Sequence, residues 1–182
     1  VRKDFVENIE KAGISIICLP ERSNIEGVFG TIRNLSKIFD KENTADSLIN
    51  NMKNQLNEIK STYNKESYKP SVYYVVGYGA TGDFTAGENT YINEIIELSG
   101  GRNIANNVSN WSYSKEELFA QQPDYIIVRQ EDLNDFINTT PYKDLEAVKK
   151  KKVLGINSSL MDCQTCRSVE AIRIISNFIH QK

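Results

Sequence analysis

Val72-Tyr-Tyr-Val-Val76, running directly into Gly77-Tyr-Gly-Ala-Thr-Gly82, is the stretch that decides the fold. An unbroken apolar and aromatic run, bounded by Pro70 before it and glycines after it, reads as a strand buried on both faces. Beyond Gly82 the chain alternates helix and strand. A helix is predicted over Thr90 to Ser99, a short strand over Asn103 to Ala105, and a helix from Ser114, whose Ser114 and Glu117 make a capping box and which stops before Pro123. Then come a strand at Tyr125 to Val128, short helical stretches around Leu133 and Leu145, a strand at Val153 to Ile156, and a closing helix from Arg167 to His180. Strands this apolar predict an α/β fold: a three-layer αβα lobe with a central, mostly parallel sheet, spanning about Pro70 to His180.

Upstream the pattern changes. Ile25, Val28, Ile32, Leu35 and Ile38 fall on one helical stripe; after a break at Asp40 to Asn43, Ala45, Leu48, Ile49, Met52, Leu56 and Ile59 form a second, with Thr44 as the expected N-cap. This predicts a long surface connector helix, with a polar exit over Tyr63 to Pro70. At the start, Phe5, Val6, Ile9 and Ala12 have helical spacing up to Gly13, and Ile14 to Leu19 reads as a buried strand closed by Pro20. A lone helix and strand cannot build a core. The expected organisation is therefore residues 1–23 as the remnant of a first lobe, 24–69 as interlobe connector and 70–182 as a ligand-binding lobe.

Composition narrows the function. Of 182 residues, 22 are Lys or Arg and 24 Asp or Glu, so no basic field exists to hold nucleic acid or an anionic membrane. No apolar run reaches the roughly 20 residues of a spanning helix, and no leader opens the chain. An export signal, if there is one, is expected outside this sequence.

The Gly77–Gly82 loop matches GxGxxG, the pattern that cradles a pyrophosphate at a helix N-terminus. Its context differs: Asp83 to Asn89 has no helical face, and the next strand ends without the acidic residue a ribose needs. A binding loop at the carboxyl end of a strand is the better reading. Cys163 and Cys166 form a CxxC before the last helix, which fits a local disulfide, two idle thiols or redox chemistry. The remaining Cys18 and His180 are too remote to complete a zinc set, and one His cannot chelate a bare transition metal. Trp111, the single Trp, falls in a polar stretch, either packed in the core or offered to a large flat ligand.

The ordered series Phe84-Thr-Ala-Gly-Glu-Asn-Thr90, Glu94-Ile-Ile-Glu-Leu-Ser-Gly-Gly-Arg-Asn-Ile-Ala105, Trp111 with Ser114-Lys-Glu-Glu-Leu118, Pro123-Asp-Tyr-Ile-Ile-Val128, Leu145-Glu-Ala-Val-Lys149 and Arg167-Ser-Val-Glu-Ala-Ile172 resembles the substrate-binding proteins of ABC importers for iron-siderophores, haem and cobalamin. Ala12-Gly-Ile14 and the long helix resemble the end of that family's first lobe and its rigid connector. The resemblance implies a non-catalytic, extracytoplasmic protein, periplasmic or a cell-surface lipoprotein. Such a protein has no intrinsic cofactor, takes a metal chelate as transported ligand and hands it to an ABC permease in the membrane. It carries Tyr78, Phe84, Trp111 and the loop Ser159 to Asp162 over as ligand-facing positions, and Glu116 as the permease-docking carboxylate. Arg129, at a strand end, is added on chemical grounds as a partner for an anionic chelate. One departure is visible: Cys163 stands where relatives often place a ligand-contacting Arg, and Cys166 replaces a usual Pro. The alternative function is a redox or nucleotide-binding enzyme using Cys163 and Cys166 or the Gly77–Gly82 loop.

Overall fold

The computed structural model describes residues 3–63 and 68–181. Its core is a parallel sheet of β1 (Ser71–Val75), β3 (Arg102–Asn103), β5 (Tyr125–Arg129) and β6 (Val153–Ile156), in the order β3-β1-β5-β6. Strand alternation divides its side chains between two cores. Val72, Tyr74 and Ile127 face one side, packed with α4 (Tyr91–Leu98), α9 (Ser168–Ile179) and the pair α2 (Ile25–Ile38) and α3 (Glu42–Tyr63). Tyr73, Val75, Ile126 and Val128 face the other, packed with Leu118 of α5 (Lys115–Gln121), Phe136 of α6 (Leu133–Asn138), Tyr142 of a 3-10 turn and Ala147 of α7 (Glu146–Lys149). This is the three-layer αβα lobe that the apolar strands predict.

Local chemistry sets the ends of these elements. Thr90 caps α4 by accepting from the Asn93 N–H, and Gly100, at φ +87, ends it by turning its own N–H back to Glu97. Ser114 caps α5 by accepting from Glu117 N–H at 3.0 Å, half of the expected capping box. At the amino ends of the strands, Asp124 accepts from the Ser71 N–H and the Tyr68 hydroxyl, both at 2.7 Å, tying β5 to β1. Burial opposes its charge, but these hydrogen bonds hold the Asp124 carboxyl below its ordinary range.

Four expectations change. The break between the connector helices falls at Phe39–Lys41, with Asp40 at φ 52. Thr44 is not an N-cap, because Ala45 N–H already donates to Lys41 O and puts Thr44 inside the first turn of α3. Ile14 to Leu19 is not a buried strand: no neighbouring strand is offered to it among the described residues, and Ile14, Ile17 and Leu19 are exposed beside α1 (Lys3–Lys11), which buries nothing. Ser159 to Asp162 is not a loop but most of α8 (Ser158–Asp162), capped by Asn157. Residues 64–67 of the expected polar exit lie outside the described residues.

Candidate functional site

The carboxyl ends of β1, β5 and β6 open into a groove of about 720 Å³, within the usual range for small-molecule sites. Val76 follows β1, Arg129 ends β5, and Met161 and Asp162 come from α8 after β6. Tyr91 at the start of α4 closes the far wall, and Trp111 overhangs it.

Trp111 owes its place to a small antiparallel ribbon that the sequence did not announce. β2 (Asp83–Phe84) pairs with β4 (Ser112–Tyr113), Thr85 N–H donates to Trp111 O at 2.8 Å, and Glu88 N–H donates to Val108 O at 2.8 Å. The ribbon runs so close to the 105–111 loop that a Cβ on Gly87 would lie 1.8 Å from Val108 O. Trp111 itself sits at φ 65 and is 40% exposed. A bulky residue in the left-handed region stores on the order of 1 kcal/mol of strain. A large apolar ring is thus held toward solvent against both its hydrophobicity and its backbone preference, which is not how a core residue is kept.

The glycine loop folds back on itself. Gly77 and Phe84 exchange backbone hydrogen bonds, and the next helix, α4, begins only at Tyr91, so no helix N-terminus stands after Gly82 to receive a pyrophosphate. Beneath the loop, Gly79 N–H donates to the Tyr142 hydroxyl at 2.9 Å and Gly79 O accepts from Lys115 Nζ at 2.8 Å; the same hydroxyl donates to buried Asp83. Tyr78 turns into this cluster, edge-on to Phe136 and Tyr142, its hydroxyl on Asp135 at 2.6 Å. Phe84 covers Gly77 and Gly82 and is 37% exposed. The groove lining therefore brings together Trp111, Arg129 and Asp162, but not Tyr78, Phe84 or Ser159, whose hydroxyl bonds Asn157.

Arg129 is already partnered. Its Nη2 lies 3.0 Å from Asp162 Oδ2, and Tyr74 OH donates to Asp162 Oδ1 at 3.3 Å. Burial works against the guanidinium's charge, yet Asp162 holds its pKa above the ordinary range. Behind the wall, the Tyr91 hydroxyl contacts Ser168, and burial pushes its pKa up to about 12, so it stays neutral. Cys163 and Cys166 are free and exposed, as is Cys18. His180 stacks on Tyr63, rings 5.2 Å apart, at the far end of the lobe. Glu116 is exposed in the first turn of α5.

Several lining residues escaped sequence reasoning. Glu21 and Arg22 reach the groove because Arg22 N–H donates to the Gln164 side chain at 2.7 Å, across 142 residues, a pairing no local pattern shows. Glu88 arrives with the ribbon; its position just before the Thr90 cap was the one available cue.

An αβα lobe whose parallel strands end at a groove, with an exposed aromatic on its lining, has the form of a ligand-binding lobe. The chain belongs to the periplasmic binding protein family, which matches residues 4–160. Its relatives are named as binding proteins rather than enzymes. A cobalamin-binding protein of Halobacterium salinarum is 26% identical over 192 residues, covering 99% of this chain and 51% of that one. An uncharacterized ABC transporter substrate-binding lipoprotein, YvrC of Bacillus subtilis, is 22% identical, covering 97% and 57% respectively. The chain thus spans about half the length of the curated relatives it matches. Among solved structures, the periplasmic haem-binding protein HutB of Vibrio cholerae superposes with a TM-score of 0.87 at 19% identity, covering all of this chain and 74% of that one.

Proposed function

We propose that this chain supplies one side of the ligand cleft of an extracytoplasmic solute-binding protein, which captures a metal chelate and delivers it to an ABC permease. The observation that carries the reading is Trp111, half-exposed over the groove in a strained backbone conformation. Such a ring is suited to the flat face of a porphyrin or corrin, or to the apolar backbone of a siderophore. A complete chelate brings its own metal ligands; among the described residues, no group of three or more His, Cys, Asp or Glu could hold a bare ion. No described helix is long and apolar enough to cross a membrane. In this reading residues 1–23 belong to a first lobe, consistent with the exposed Phe5, Ile14, Ile17 and Leu19. Residues 24–69 are the connector and 70–182 the second lobe. Glu116 docks the permease, free to do so because the Ser114 hydroxyl already caps α5.

Because Trp111 is the only Trp, indole fluorescence reports from the groove without a contribution from a second Trp. Titration with cobalamin, haemin and a ferric hydroxamate should give saturable quenching with at least one. Trp111→Ala should weaken that binding about tenfold, monitored by the chelate's own absorbance. Absence of binding to every chelate class defeats the proposal.

A further inference from the structure

We infer that the groove discriminates by charge, accepting neutral and cationic chelates and disfavouring anionic ones. This rests on the solute-binding reading above and adds the class of solute. The basic residues along the groove are Arg22 and Arg129, and both are already engaged by other side chains. Arg129 is neutralised by Asp162 at 3.0 Å. Arg22 turns away: its Nε lies 3.4 Å from the Thr31 hydroxyl, and its aliphatic stem fills the space beside Gly27 on α2.

The acids differ. Glu21 and Glu88 are exposed on the rim and make no side-chain hydrogen bond or ion pair among the described residues. With the Arg129–Asp162 pair counted as neutral and Arg22 set against its neighbour Glu21, Glu88 leaves one uncompensated negative charge at the mouth. Trp111 adds to it, because the face of an indole is the negative pole of its quadrupole and favours a cation. The N-terminus of α4 reaches the same wall, but it brings only a partial positive charge and has Glu94 in its own first turn. An anionic catecholate or carboxylate chelate would meet a net negative mouth whose arginines are already engaged by other side chains.

The one net negative charge, about 7 Å from a unit charge on the ligand and still hydrated, changes affinity roughly threefold per ligand charge. The test uses two matched series on the intact chain, read by Trp111 quenching. One is ferrioxamine B with its N-acetyl and N-succinyl derivatives, the same ferric trihydroxamate as cation, neutral species and anion. The other is cyanocobalamin against its monocarboxylate, one amide hydrolysed. Within whichever series binds, affinity should fall in the order cation, neutral, anion, and the spread should shrink as salt is raised toward about 1 M. Glu21→Gln with Glu88→Gln should invert the order about threefold while sparing the neutral member, and Glu21→Lys with Glu88→Lys should invert it more strongly. Equal or tighter binding of the anionic member, or a spread indifferent to both double variants, overturns the charge inference and leaves solute binding intact. Failure of every member of both series to bind overturns the solute-binding reading and this inference with it.

Discussion

Replacing Gly87 with Ala is a one-carbon test of how the groove is built. The added Cβ would sit 1.8 Å from Val108 O, where an ordinary carbon–oxygen contact is roughly 3.3 Å, so the two segments must part by on the order of 1.5 Å. That separation breaks the Glu88 N–H to Val108 O hydrogen bond, about 1 kcal/mol net, and adds an overpacking cost of about 1–3 kcal/mol. Gly87 is not in a left-handed conformation, so the full penalty is steric. The expected destabilisation is about 2–4 kcal/mol by urea unfolding, appearing as a lower midpoint with an unchanged slope. Because the loop that moves also carries Trp111, chelate affinity should fall together with stability, whereas a core variant such as Ile172→Val should lower stability alone. A Gly87→Ala protein within about 0.5 kcal/mol of the parent, with unchanged affinity, would refute the account of the ribbon.

Other consequences are open to direct measurement. Trp111→Gly removes the left-handed strain, so its unfolding free energy should equal that of Trp111→Ala or exceed it by about 1 kcal/mol, while both lose quenching and chelate affinity. The Asp124 carboxyl, held below its ordinary value of 3.8, contributes stability that is present above that value and lost as pH falls through the folded pKa; Asp124→Asn should be less stable at neutral pH and show a flatter limb on acidification below that value. Glu94 runs the other way. Burial raises its pKa despite the hydrogen bond it accepts from Ile25 N–H, so its share of stability is present at low pH and declines as pH rises through the folded pKa, a trend Glu94→Gln should remove. Glu116→Lys should leave chelate affinity and melting temperature near those of the parent and impair uptake in cells; unchanged uptake would return Glu116 to a helix-terminus role. Finally, Cys18, Cys163 and Cys166 should all react with a thiol reagent in the native protein at rates close to those in urea.

The lobe was legible where burial and chain periodicity agree. Val72 to Val76 and Tyr125 to Val128 are apolar throughout because both faces of the sheet are covered, and α9 shows its stripe because Val169, Ile172 and Ile175 all meet one core. The cap at Ser114 was readable because capping is chemistry within one turn, whereas Thr44, read the same way, fell inside α3. Two kinds of error remain. Ile14 to Leu19 has a strand's composition, but a strand is a relation between chain segments, and its ladder needs a neighbour that the described residues do not offer. The ribbon of β2 and β4 is the reverse case: Asp83, Phe84, Ser112 and Tyr113 are too short a pattern to register, and they pair across intervening helix and strand. The candidate site suffered from the same blindness. Trp111, Arg129 and Asp162 were accessible as strand-end or loop residues, while the inward turn of Tyr78 depends on Asp135, Phe136 and Tyr142, far along the chain.

The bonds that fasten Trp111 to its neighbours, Thr85 N–H to Trp111 O, Phe84 N–H to Gly77 O and Glu88 N–H to Val108 O, all join main-chain atoms. They form whatever side chain occupies position 111. Descendants of this chain can therefore exchange the indole for another residue, Asn or Gly most readily at that φ, and change diet without rebuilding the scaffold. The opposite end of the sheet has no such freedom, since the clasp there is made by the carboxylate of Asp124 itself, which accepts from Ser71 and Tyr68. Tolerance to mutation should accordingly rise along the strand direction, and a deep mutational scan selecting only for folding would see position 124 constrained and position 111 nearly free.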